Sequence, residues 1–193
     1  MSNQMLHVAA ANGDLERLRK MQADGKLADG KIDEPINTCM QTTPLMIACS
    51  NGHSATAKFL IEAGADVHRP NVRGETALHM AAVEGRLECV KLLVSKGADV
   101  NHIDSDKASA LHRATQVGAL KVVQYLCSAG ADKDAVFFSN APLQWAALCY
   151  KEDVENYLQR VGAKPHGVVN KFTGEIEYGI LTQREMEKNR HVD

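Results

Sequence analysis

The sequence predicts an all-α solenoid of helix-turn-helix units joined by short β-hairpin loops, and three observations predict it. One pattern recurs five times, as MLHVAA, PLMIAC, ALHMAA, ALHRAT and PLQWAA, each built around a leucine: Leu6, Leu45, Leu78, Leu111 and Leu143. These leucines are spaced 39, 33, 33 and 32 residues apart. Nineteen residues after each stands a glycine, Gly25, Gly64, Gly97, Gly130 or Gly162. A near-constant period of this length marks stacked supersecondary units that share one elongated core.

The elements follow in order. In each unit the first helix carries the leucine followed by small residues, Ala81 and Ala82 in the third, which let neighbouring helices approach closely. The second helix of that unit is apolar at Leu87, Val90, Leu93 and Val94, a helical spacing that turns one stripe inward and leaves Glu88 and Lys91 outward. The glycines fall where helices end and the backbone can need a positive φ. The first unit, residues 1–26, sets Arg17, Arg19 and Lys20 beside Leu15, Leu18 and Met21, as an amino-terminal cap would. Residues 27–42 are a lengthened loop, because the first interval of 39 residues exceeds the period of 33 within KLADGKIDEPINTCMQ. Four further units fill residues 43–163. Before the last of them the interval is one residue short, and VFFS at 136–139 replaces the usual polar tip. In the last unit Leu120, Val123 and Cys127 of its predecessor become Glu152, Glu155 and Gln159, the polar outer stripe of a capping repeat. Residues 164–193 form a tail with a hairpin around Thr173 and Gly174, then a short charged helix in which Thr182 and Glu185 have capping-box spacing.

Two stretches, TPLMIACSNGHSATAKFLIEAGADVH at 43–68 and TALHMAAVEGRLECVKLLVSKGADVN at 76–101, approach the T-P-L-H-x-A signature of a repeat of about 33 residues. From about residue 4 to residue 163 the chain resembles the ankyrin-repeat family. The resemblance implies a curved array whose hairpin tips and first helices line a concave face that binds another protein. It also implies a non-catalytic adaptor or scaffold. The alternative from another class is a regulatory or inhibitory subunit of an enzyme, with the tail blocking or gating the active site.

Composition narrows the partners. With 22 basic and 24 acidic residues and a formal net charge of −2, no excess of one sign draws the molecule onto nucleic acid or an acidic membrane. No apolar run approaches the roughly 18 residues of a membrane helix, and the start MSNQMLHV lacks a basic n-region. A cytoplasmic monomer is the expectation, with a nuclear location left open. Five cysteines without a CxxC pair read as buried reduced thiols.

Motifs for chemistry fail on inspection. Gly25 to Lys31 satisfies G-x-x-x-x-G-K, but Ile32 takes the Ser/Thr place and the segment follows a helix, so a helix end and an inserted loop account for it. His7, His79 and His112 recur at one position of successive units, yet packed helices stand about 8 to 10 Å apart, too far for residues one unit apart to share a metal. The resemblance implies that such histidines bond loop backbone. Asp104-x-Asp106 lacks the glycine and glutamate of a calcium loop, and no G-x-S-x-G or H-E-x-x-H occurs. No catalytic residue, metal or cofactor is expected. Asn101, in LVSKGADVN, resembles the context in which ankyrin asparagines are hydroxylated, and GADVN is equally the plain family consensus.

By offset the tips are Cys39 and Met40, Val72 and Arg73, Ser105 and Asp106, and Phe137 and Phe138. Phe137, Phe138, Trp145 and Tyr150 fall within fourteen positions at one end of the array. With Val72 and Arg73 they form the expected partner site, since aromatic side chains dominate interface hot spots. Either a partner covers them, or Phe172, Ile176 and Tyr178 of the tail do.

Overall fold

A computed structural model describes residues 2–27, 31–35, 39–138, 140–165, 168–169 and 176–177. Among them are ten α-helices arranged as five pairs: α1 (Ser2–Asn12) with α2 (Leu15–Ala23), α3 (Pro44–Ser50) with α4 (Ser54–Glu62), α5 (Ala77–Val83) with α6 (Leu87–Ser95), α7 (Ala110–Val117) with α8 (Leu120–Ser128), and α9 (Pro142–Leu148) with α10 (Glu152–Arg160). The odd-numbered helices pack in succession as an inner row and the even-numbered ones as an outer row. Leu6, Leu45, Leu78, Leu111 and Leu143 are all buried, and Ala9, Ala48, Ala81, Ala114 and Ala146 beside them have no exposed surface. Small residues thus let the inner helices close on one another while the leucines fill the layer behind. Two strands follow the last pair, β1 (Val168–Val169) and β2 (Ile176–Glu177), antiparallel with Val169 opposite Ile176. The residues joining them, with Thr173 and Gly174, and the helix expected from Thr182 lie outside the described residues.

Inner-helix starts are fixed by one side-chain device. Thr76 N–H donates to His79 Nδ1 at 3.3 Å and Ser109 N–H to His112 Nδ1 at 3.2 Å. The far nitrogens, Nε2, reach the carbonyls of Ala108 at 3.2 Å and Ala135 at 3.0 Å. Because Nδ1 accepts, Nε2 carries the proton, and each buried imidazole ties a helix start to the next loop. In the fifth unit Gln144 does half of this, its Oε1 accepting from Ala141 N–H at 3.0 Å.

The lengthened loop is more than a connector. Leu27 and Ile32 join the core, the latter in a 3-10 helix at Lys31–Asp33, and Asp33 accepts the Asp66 N–H at 3.0 Å. Residues 28–30, the middle of the phosphate-loop look-alike, lie outside the described residues.

Candidate binding face

The hairpin tips are built on a buried Asx residue. Asn71 Oδ1 accepts the N–H groups of Arg73 at 2.8 Å and Glu75 at 3.0 Å, while Asn71 N–H donates to the Glu75 carbonyl. Asp104 repeats this one unit on, its Oδ1 accepting from Asp106 and Ala108 at 2.9 Å each. Neighbouring tips join through Val72 N–H to Met40 O at 3.2 Å and Ser105 N–H to Arg73 O at 2.9 Å. Gly74, at φ +72°, is required there: a Cβ would stand 3.0 Å from the Ser105 nitrogen.

The fourth tip departs from this pattern and corrects the register read from sequence. Phe137 and Asn140 exchange both backbone hydrogen bonds, leaving two residues in the turn. The shortening by one residue therefore falls inside the tip. Phe137 takes the place of Asn71 and Asp104 at the base, not that of Val72 or Ser105 at the summit. Like those two it is buried, at 3% exposure, whereas Phe138 is 68% exposed at φ +46°.

Phe137 is the hub of the site. Its ring stacks on Trp145 at 5.1 Å, meets the His112 edge at 5.6 Å, lies 4.7 Å from Phe138, and has the Arg113 guanidinium 5.5 Å from its centroid. The Trp145 indole N–H donates to the Phe137 carbonyl at 2.9 Å, so both ends of the pair are fixed. Arg113 in turn binds Asp104 with two of its nitrogens and reaches Asp106 at 3.1 Å, and Arg73 approaches the same Asp106 oxygen at 4.0 Å. Burial alone would raise the Asp104 carboxyl, but hydrogen bonds from Arg113 and the Ala108 N–H, with the Arg113 charge, hold it below its ordinary value. A continuous chain thus runs from Arg73 through Asp106 and Arg113 to Phe137, Trp145 and Phe138, with Val72 exposed on the Arg73 tip.

Sequence reasoning did not place Arg113 at the site, and it weighed Asp104 only within a calcium motif that fails. The available signal was an arginine at the place of Met80 and Trp145, preceded nine and seven residues earlier by acidic residues in a tip. Tyr150 is set apart from the aromatic group: it follows the far end of α9 and lines a cavity with Gly118, Lys151, Glu152, Asp153 and Val154. Asn101 is committed on both sides of its amide, donating to Gly130 O at 3.2 Å and accepting from Asp132 N–H at 2.8 Å, so a modifying enzyme would have to open this turn. Among the described residues no cluster of three or more His, Cys, Asp or Glu side chains could hold a metal, and no helix is long and apolar enough to cross a membrane.

Comparison with known proteins agrees with this architecture. A family profile described as ankyrin repeats, three copies, matches residues 6–104 and 68–137. The chain is 36% identical over 77 residues to ankyrin repeat and SOCS box protein 1 of Homo sapiens, a match covering 39% of this chain and 23% of that protein. It is 51% identical over 37 residues to protein fem-1 homolog A-like of Mus musculus, covering 19% of this chain and 6% of that one. The chain thus spans less than a quarter of either relative's length. Ankyrin repeats generally mediate protein–protein interaction, and such repeats are typically non-catalytic. With matched segments running from the first inner helix to the fourth tip, the chain belongs to the ankyrin-repeat family.

Proposed function

We propose that this chain is a non-catalytic adaptor or scaffold that binds another protein through the carboxyl-terminal half of its concave face. Val72 and Arg73 supply one edge, Phe138 and Trp145 the centre, and Phe137 the seat beneath them, while Tyr150 stands apart from this group. The observation that carries the reading is Phe138, a large apolar ring left 68% exposed on a support that both stacking and an indole hydrogen bond hold in place. Preorganised aromatic side chains add binding area at little cost in ordering. The five thiols are free, which suits a cytoplasmic setting.

The test is a quantitative affinity purification with three full-length baits: wild type, Phe138→Ala, and Lys58→Ala on the exposed side of α4. A partner retained by wild type and Lys58→Ala but lost by Phe138→Ala is expected. Loss with Lys58→Ala and retention with Phe138→Ala would place the contact on the outer helices and defeat the proposal.

A further inference from the structure

Three loops of the array hold the following unit by one recurrent hydrogen bond. Asn101, Asp134 and Asp33 each accept, through a single side-chain oxygen, the N–H of the residue two past the glycine that ends the next outer helix. These donors are Asp132 at 2.8 Å, Lys164 at 2.7 Å and Asp66 at 3.0 Å. The second polar atom of each side chain is what differs. In Asn101 it is Nδ2, which donates to the Gly130 carbonyl at 3.2 Å. In Asp134, a half-exposed residue, it is Oδ2, with the Lys133 ammonium 3.8 Å away. In Asp33 it is Oδ1, which is buried and has no hydrogen-bond partner among the described residues. The residue before Asp33 is the core side chain Ile32 where Asp134 is preceded by Lys133, so no cation arrives from that side. A buried acceptor without a donor is costly, and an ionised one more so.

The register identifies the group that this oxygen could engage. Asn101 spans two backbone groups of the next loop, the Gly130 carbonyl and the Asp132 N–H. For Asp33 the counterparts are the Gly64 carbonyl and the Asp66 N–H, and Asp33 engages the second alone. An ionised carboxylate only accepts, whereas a protonated carboxyl offers the same acceptor and donor pair as a carboxamide. Charge around the site is mixed. Burial foremost holds the Asp33 carboxyl above its ordinary value and the Asp66 charge adds to this, while the Asp66 N–H and the Arg69 charge act the other way. Lys31 and Glu34 flank it in sequence, and α3, which packs on this segment, has Cys49 as its one titratable group.

We propose that Asp33 is a proton-operated clasp on the lengthened loop. Ionised, it holds the Asp66 N–H alone. Protonated from solvent, its Oδ1 hydroxyl also donates to the Gly64 carbonyl, and the loop is fastened to the second unit as Asn101 fastens its own loop to the fourth. The connection between the first two units is thereby held more firmly in acid than at neutral pH. A carboxyl raised in the folded state contributes stability that is fully present below its unfolded value of about 3.9 and is lost as pH rises through the folded value. Nothing in this rests on the concave-face reading.

Urea unfolding of the full-length wild type, Asp33→Asn and Asp33→Ala across a range of pH is the test. At about pH 7 Asp33→Asn, which supplies the donor permanently, should unfold at a higher urea concentration than wild type, and the gap should close as pH falls toward the folded value. All other titrating groups are shared, so the difference isolates Asp33. Asp33→Ala removes the charge without supplying a donor and should show no such gain. Tryptic cleavage at Lys26 and Lys31 at neutral pH, measured against cleavage at Lys96, should be several-fold slower in Asp33→Asn than in wild type. Carbon-13 titration of the wild-type carboxyls, which depends on no variant, should place the Asp33 midpoint above that of the exposed Asp24. An Asp33 midpoint at or below that of Asp24 overturns the proposal. So does a gap between wild type and Asp33→Asn that is absent at neutral pH or constant across pH. An equal gain in Asp33→Ala also overturns it, by assigning the effect to charge alone.

Discussion

Single residues carry two kinds of obligation in this molecule, and each yields a measurement. His79 and His112 are neutral in the folded state: burial foremost lowers the pKa of each, and a proton on Nδ1 would confront the N–H that donates to it. A histidine with a depressed folded pKa contributes stability that is fully present above its unfolded value of about 6.5 and is lost as pH falls from there toward the folded value. The wild-type melting temperature should therefore drop between about pH 7 and about pH 5. The drop should be smaller in the double variant His79→Gln, His112→Gln, which borrows the solution Gln144 already provides. Equal drops would show that these rings do not govern the pH response. Arg113 carries the second obligation, because the Asp104 carboxylate beneath it is almost fully buried. Arg113→Ala should destabilise the array by about 3 kcal/mol in urea unfolding, since it strands that charge away from solvent. A loss below about 1 kcal/mol, the worth of an exposed pair, would mean that water reaches Asp104.

Among the elements, the helices and the regular tips were legible in the sequence, and the fourth tip was not. Leucines and glycines at constant offsets determine where each inner helix begins and each outer helix ends, because stacking repeats the same steric demand in every unit. The fourth tip escaped because a one-residue deletion can be placed at several points of a loop without changing any offset. Only the exchanged hydrogen bonds of Phe137 and Asn140 locate it, and they move Phe137 from summit to base. The lengthened loop shows a related limit: its interval reveals the extra residues but not which of them turn inward. Ile32 sits in the core at 3% exposure, so Ile32→Ala should cost about 2 to 4 kcal/mol in chemical unfolding, with α3 and α4 the helices most affected. An effect of a few tenths of a kcal/mol would show that this stretch is a tolerated insertion.

For the whole molecule, the repeat architecture follows from periodicity and the concave location of the proposed partner site from the family resemblance, whereas the make-up of the proposed site follows from neither. Four of the six residues expected there, Arg73, Phe137, Phe138 and Trp145, are linked into one group, but through Asp104, Asp106 and Arg113, whose pairing is a matter of three dimensions. Tyr150 shared with them only nearness in sequence, and a seven-residue helix carries it to another face. We propose that this group is a preformed contact for another protein, with Phe138 projecting and Phe137 supporting. Titration calorimetry of the purified partner against wild type and Phe138→Ala, read beside their melting temperatures, tests it most directly. Binding should weaken by about 2 kcal/mol or more while the melting temperature hardly changes, because a projecting hot-spot ring contributes to the complex and little to the fold. Unchanged affinity, or a loss of affinity matched by a lowered melting temperature, would contradict it.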